Sequence, residues 1–309
     1  MQRNIYRGSE YSDRLREFIY EKYDIRAISI APAKRGFYGE TWRLNTLKNS
    51  YFVKIVYWAA HCAVYERSFP IIKHLCNHGI DFICKITETK DGRLFSKFDG
   101  AILGVFNWID GENIETDDTK IPEYQMLAKI YNVPAQGLPI ICEDFSAKGA
   151  EIFFKQWACV DNEELKTLLE KNRAKLEHRA ARLKWFSGLC QNDTESFVIT
   201  HGDAGGNLIK DKDKYFIVDW DNPVFAPPER DAWVMCSRSW ARDAFQSALQ
   251  KNGINYTLRI ERLAYYCYQF FFFYLSSYID GFTENDSVQE IEKYLDCWIE
   301  DSIAYTDKI

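Results

Sequence analysis

The segment VITHGDAGGNLIKDKDKYFIVDWDNP, Val198 to Pro223, sets one acid, one amide and two further acids around a short apolar hairpin. The runs NLIK and YFIV flank four polar residues, Asp211 to Lys214, which predicts two antiparallel strands joined at that turn. Pairing about the turn brings Asn207, at the start of the first strand, beside Asp219, at the end of the second. An amide oxygen and a carboxylate then meet at one open end. Hard oxygen ligands at an exposed site suit Mg²⁺, which binds through few protein oxygens and keeps its other positions for water and phosphate. Asp203 lies four residues before Asn207. There it sits beside the metal without ligating it, and a carboxylate so placed can orient a hydroxyl and accept its proton.

Outward from the hairpin, the 309 residues exceed one ordinary domain, so two lobes or one large core are expected. The chain is 47% apolar and 27% charged, a globular composition without long disordered tails. A net charge of -6 argues against a nucleic-acid partner and for cationic small molecules. Nine cysteines, odd in number and never in a Cys-x-x-Cys pair, read as reduced, mostly buried thiols of a cytoplasmic protein. The opening MQRNIYRGSEYSDRLREF has no apolar core of an export signal. LAYYCYQFFFFYL, Leu263 to Leu275, is too short for a membrane span of about 20 residues and is expected to be a buried core helix. No membrane partner is expected.

The N-terminal third reads as strands with one helix. GFYGETWRL and SYFVKIVYW predict a hairpin about NTLKN, and RLFSKF and AILGVFNWI a second one turned at Asp99-Gly100. Ala59 to Gly79 is helical in pattern, and Pro70 within it is expected to kink or split it. From Ile121 onward the pattern is mostly helical. VDNEELKTLLEKNRAKLEHRAARLKWF is expected to form a helix capped by Asp161, with Glu164 three residues on. The fold class is therefore α+β, with an antiparallel sheet and a helix over residues 1–110, a larger helical part over 111–309, and a boundary near Asp110-Gly111. His74 and His78 stand i, i+4 on the helix, but no third zinc ligand accompanies them.

His201-Gly202-Asp203, Asn207 and Ile217 to Asp221 resemble the catalytic loop and metal segment of the aminoglycoside phosphotransferase and choline kinase superfamily. The continuation DWDNPVFAPPERD is similar to its spectinomycin phosphotransferase branch. The resemblance implies a bilobal protein-kinase-like fold with ATP as donor, Asp203 as catalytic base, and Asn207 and Asp219 as Mg²⁺ ligands. It further implies that Lys54 meets the phosphates, that Glu66 holds Lys54, and that Gly36 and Gly39 belong to the loop over the phosphates. Backbone groups of Asn107, Trp108 and Ile109 would take the adenine. His201, Asp221, Arg230 and Asp231 would support the loop. The family has four residues between Asp and Asn; this chain has three, Ala204-Gly205-Gly206.

These readings converge on an O-phosphotransferase acting on a small hydroxylated, cationic molecule, with an aminoglycoside or aminocyclitol antibiotic such as spectinomycin preferred. A metabolic kinase for choline, a sugar or an amino alcohol shares every catalytic residue. An inactive nucleotide-binding relative stays open through the shortened loop, as does a monomeric or homodimeric state. Acidic residues Glu112, Glu115, Asp117 and Asp118, and Asp280, Glu284, Asp286, Glu290 and Glu292, are candidates to face a cationic acceptor. No Ala-Pro-Glu segment follows Asp219, which sets the chain apart from protein kinases.

Overall fold

The computed structural model describes residues 8–33, 39–191, 193–280, 282, 287–296 and 299–308. Gly36, Glu284 and Asp286 lie outside the described residues. In chain order the elements are helix α1 (Ser9–Tyr23), strands β1 (Ser29–Pro32), β2 (Gly39–Asn45) and β3 (Ser50–Val56), helix α2 (Ala59–Asn77), strands β4 (Ser96–Phe98), β5 (Ala101–Asn107) and β6 (Glu112–Asn113), and helix α3 (Lys120–Ile130). There follow β7 (Ile141–Cys142), α4 (Lys148–Trp157), α5 (Glu163–Lys171), α6 (Arg173–Cys190), β8 (Val198–Thr200), β9 (Leu208–Asp211), β10 (Lys214–Ile217) and β11 (Val224–Ala226). Helices α7 (Glu229–Ala232), α8 (Ser239–Lys251), α9 (Ile260–Ile279), α10 (Val288–Leu295) and α11 (Ile299–Thr306) complete the order.

The chain packs as two units, Gln2–Ile141 with His201–Phe225, and Cys142–Thr200 with Ala226–Ile309. The boundary expected at Asp110-Gly111 falls inside the first unit. The reason is pairing: β6, just beyond that point, adds antiparallel to β9 of the hairpin and ties the two segments together.

In the first unit five antiparallel strands run in the order β1-β2-β3-β5-β4. Alternation along β3 sends Val53 and Ile55 to one face, where Leu15, Ile19 and Tyr23 of α1 join them with Leu103 and Val105. The opposite face receives α2, whose Phe69 ring stacks on Phe106 at 5.8 Å. Helix α1 adds a second helix to the one expected in this part, with Leu15, Ile19 and Tyr23 as its buried residues. Pro70 neither splits nor ends α2, which runs from Ala59 to Asn77. Burial of Phe69, Ile71, Ile72 and Leu75 offsets a cost of about 3 kcal/mol for a proline inside a helix. The tight turn holds as expected, with Asp99 and Gly100 both at positive φ, 49° and 82°. His74 sits 2.7 Å from the Pro134 carbonyl, a structural bond.

In the second unit α9 is the core element. Leu263, Tyr266, Phe271, Phe272 and Leu275 are all at most 2% exposed, and rings of α4 and α6 meet it, Phe153 on Phe272 and Phe186 on Tyr268. Among the described residues no helix is long and apolar enough to cross a membrane. The single helix expected from Asp161 is two, α5 and α6, parted at Asn172. The cap is Asn162, whose side chain accepts from the Leu165 N–H at 2.9 Å. The eight described cysteines are free, but only Cys190, Cys236 and Cys267 are buried, so burial is less general than expected.

Candidate active site

Strands β9 and β10 pair Lys214 with Asp211 and Ile217 with Leu208, and the two-residue turn between them uses Lys212 at φ 54°. The Val218 N–H to Asn207 carbonyl bond of 2.9 Å carries the pairing one step further. Asp219 follows at once, in the left-handed region at φ 64°. A non-glycine residue there stores strain, which the surrounding bonds hold in place. The expected meeting of Asn207 and the Asp219 segment is therefore a matter of register.

The Asp203 loop is anchored to that segment by His201. Its Nδ1 accepts the Asp203 N–H at 3.2 Å, so the proton resides on Nε2, which donates to the Val218 carbonyl at 2.9 Å. The ring also packs edge-on against Trp220, centroids 4.6 Å apart. Gly202 between them needs positive φ, 83°. Residues Ala204–Gly206 form one 3-10 turn. Asn207 then turns its amide back, Nδ2 donating to the Asp203 carbonyl at 2.6 Å and to its carboxylate at 3.3 Å. The amide oxygen of Asn207 is thereby directed away from Asp203.

Lys54, 6% exposed, bridges the two acids of the hairpin exit, 2.6 Å from Asp219 and 2.5 Å from Asp221. Burial works against its charge, but the two carboxylates outweigh it and raise its pKa. Burial pushes Asp221 up to about 6, outweighing the attraction of Lys54, with repulsion from Asp219 a smaller contribution in the same direction. Asp219 is held low because Lys54 overcomes its desolvation. One cation faces two acids, so the cluster is short of positive charge.

Glu66 does not join it. Its carboxylate lies 3.9 Å from exposed Lys97. Tyr65, one residue earlier, is the α2 side chain that meets Lys54, with Nζ 5.6 Å from its ring. The strand neighbour of Lys54 is Gly104, and a Cβ there would come within 2.8 Å of the Tyr65 hydroxyl. That glycine lets α2 approach the sheet and was the available signal for Tyr65. Gly39 has a packing reason of its own, since a Cβ would lie 2.0 Å from the Ile55 carbonyl.

A cavity of about 400 Å³ is lined by Phe52, Phe106, Trp108 and Ile109, and by Lys54, Asn207, Asp219 and Asp221. At Asn107 to Ile109, the hinge segment expected to take the adenine, the Asn107 N–H goes to the Lys85 carbonyl and the Trp108 N–H to that of Ser50. Of the three hinge N–H groups only that of Ile109 has no backbone partner among the described residues. Arg43 covers the Trp108 ring at 4.5 Å. Cys84 also lines the cavity, its thiol pushed up to about 12 by burial and so inert. Arg230 donates to the Thr200 hydroxyl at 3.0 Å, on the residue before His201, and Asp231 is buried beside it in the chain.

The phosphotransferase enzyme family model matches residues 29–266. The chain belongs to this family. Among solved structures, a spectinomycin phosphotransferase in complex with ADP and spectinomycin is similar at a TM-score of 0.76 and 20% identity, over 96% of this chain and 98% of that one. An amicoumacin kinase in complex with AMP-PNP and Ca²⁺ gives 0.65 and 12%, over 94% and 93%. A choline kinase of Streptococcus pneumoniae gives 0.60 and 12%, over 97% and 100%. No curated protein matches the chain in sequence. At these identities the likeness establishes the kinase-like α+β fold of this phosphotransferase.

The donor set of the phosphotransferase fits a hard divalent cation. Among the described residues no group of three His, Cys, Asp or Glu is arranged around a metal. Asn207, Asp219 and Asp221 line one cavity, and the two acids share the single Lys54 ammonium, as suits an ion that keeps much of its shell for water and phosphate.

Proposed function

We propose that the protein is an ATP- and Mg²⁺-dependent O-phosphotransferase for a small hydroxylated, cationic molecule, an aminocyclitol or aminoglycoside of the spectinomycin kind being preferred. The observation that carries this reading is the convergence of Lys54 with Asp219 and Asp221 on the hairpin that also delivers Asp203 and Asn207.

The Ile109 N–H is available to adenine between the walls of Phe52, Phe106 and Trp108, and Lys54 meets the α- and β-phosphates. Asn207 and Asp219, with Asp221 beside them, would hold Mg²⁺, which supplies charge neutralisation to the phosphates when bound. Asp203 orients the acceptor hydroxyl and takes its proton as oxygen attacks the γ-phosphorus and the bond to ADP breaks. His201 keeps that carboxylate in place through the Asp203 N–H. Arg230 and Asp231 brace the segment entering the loop. The preference for a cationic acceptor rests on Glu115, an exposed acid whose carboxylate would lie 3.9 Å from a Cβ on Gly206. Free thiols agree with a cytoplasmic setting.

The test is mass spectrometry of a mixed panel of spectinomycin, kanamycin-type aminoglycosides, choline and amino sugars, incubated with the protein and Mg-ATP. A single acceptor gaining one phosphate names the class. Phosphorylation of choline alone would replace the antibiotic reading by the metabolic one.

A further inference from the structure

The loop between Asp203 and Asn207 is a single turn of three residues, and its own backbone closes it with one bond, Asn207 N–H to the Ala204 carbonyl at 3.0 Å. A turn this short cannot satisfy its other carbonyls internally. Both glycine carbonyls are taken up from outside. Lys120 of α3 donates to the Gly205 carbonyl at 3.2 Å, and Asn113 of β6 donates to the Gly206 carbonyl at 2.7 Å.

Each donor is itself fixed. Asn113 pairs with Ile209 in the sheet, and the Ile114 N–H continues that pairing to the Leu208 carbonyl. Lys120 is 4% exposed and lies 3.0 Å from Glu123, which is 2% exposed. Burying an ion pair costs more than burying apolar residues of similar volume, so the pair adds nothing to packing that Met or Leu would not. What an apolar pair lacks is a donor for Gly205. The fit is close as well: a Cβ on Gly205 would lie 3.0 Å from the Lys120 ammonium, so only glycine gives the lysine this approach freely.

We infer that Lys120 and Asn113 are positioning residues which clamp the shortened loop by its two glycine carbonyls and so set Asp203 and Asn207 at the spacing the site needs. The inference rests on the reading of Asp203 and Asn207 given above. It turns the missing residue of the loop into a structural trade. A tighter turn is held by two external donors.

The experiment uses the full chain with Asn113→Ala and with the double variant Lys120→Met/Glu123→Met, which removes both buried charges together and leaves neither unpaired. Calorimetry measures ADP affinity without metal and then with Mg²⁺; turnover and the KM for ATP are measured on the acceptor found in the panel. Metal-free ADP affinity should stay within about 2-fold, since the hinge and Lys54 are untouched, while the KM for Mg-ATP should rise in step with any lost Mg²⁺ gain. The Mg²⁺-dependent gain in affinity should fall about 10-fold in either variant, and kcat by about 10-fold in Asn113→Ala and about 10²-fold in the double variant. Unchanged kcat and Mg²⁺ gain in both would overturn the inference, as would loss of metal-free ADP affinity in step with a lowered Tm, the mark of a merely structural role. If the wild-type chain shows no Mg²⁺ gain and Asp203→Asn retains full turnover, the reading of the site fails first and the clamp with it.

Discussion

Two buried ionic clusters, one in each unit, use similar residues to different ends. Around Arg262, fully buried, most of the guanidinium is engaged: it meets the Asp193 carboxylate at 2.9 Å, the Tyr256 hydroxyl at 2.8 Å and the carbonyls of Asp193 and Glu195, while its Nε has no partner among the described residues. Glu229 nearby accepts from Tyr256 at 2.8 Å and from the Arg259 N–H at 2.6 Å. Around Lys54 one cation serves two acids, and the acids line a cavity. The first cluster draws its partners from its own chain and sets each arginine against carboxylates. The second is unbalanced in charge, which agrees with the proposed binding of a cation and phosphates there.

The largest expected effect separates chemistry from packing at the open cluster. Asp203→Asn should lower turnover by about 10² to 10⁴ while ATP binding stays nearly intact, because the amide cannot accept the acceptor proton. Turnover measured with saturating Mg-ATP decides it, and a wild-type rate would remove Asp203 from the mechanism. Next comes a contrast in stability read from urea unfolding. Arg262→Met should cost about 3 kcal/mol, since the carbonyls of Asp193 and Glu195 lose a fully buried donor while Asp193 keeps Arg259. Lys54→Met should cost less than that, because its acids line the cavity and stay partly exposed, 43% at Asp219 and 29% at Asp221. Equal losses in the two variants would erase the distinction between closed and open clusters.

A pH effect sharpens the closed side. Burial raises the Glu229 pKa above its ordinary 4.5, with its hydrogen bonds only partly opposing this. The folded chain thus holds that proton more tightly than the unfolded chain. The associated stability is present in full below the ordinary glutamate value and is lost as pH rises through the folded value. Urea midpoints of wild type and Glu229→Gln, compared from pH 4 to 7, should show the wild-type advantage shrinking as pH rises. A difference independent of pH would mean that Glu229 titrates alike in both states.

Local signals account for what the sequence shows of this site. β-rich runs such as SYFVKIVYW mark the strands, where alternation sets Lys54 opposite Val53 and Ile55, and the polar turn at Asp211 to Lys214 sets the register that brings Asn207 to the Asp219 segment. The long apolar run of α9 was legible as core for the same reason. Lost were features whose determinants are distant or lie in the backbone. Lys120 is invisible because its partner is the Gly205 carbonyl, and the break at Asn172 because helical periodicity persists on both sides of it. Asn162 rather than Asp161 caps α5, a shift of one residue that propensity alone does not resolve.

Glu66 offers the smallest expected effect and the finest test of the open cluster. In kinases a helix glutamate holds the strand lysine, and the sequence places an acid on α2 where such a residue is expected. Here the carboxylate lies near Lys97 at 3.9 Å, with both side chains substantially exposed, and an ion pair of that kind contributes roughly 0–1 kcal/mol. Lys54 is held instead by Asp219 and Asp221, above the ring of Tyr65. Glu66→Ala should therefore leave the urea midpoint almost unmoved and change the KM for ATP by no more than about 3-fold, within the range of a lost surface pair. A 10²-fold rise in that KM would show that α2 moves to bring Glu66 onto Lys54 when nucleotide binds. The two acids of the hairpin would then be a resting partner that the lysine leaves, and the open cluster would be one state of a switch.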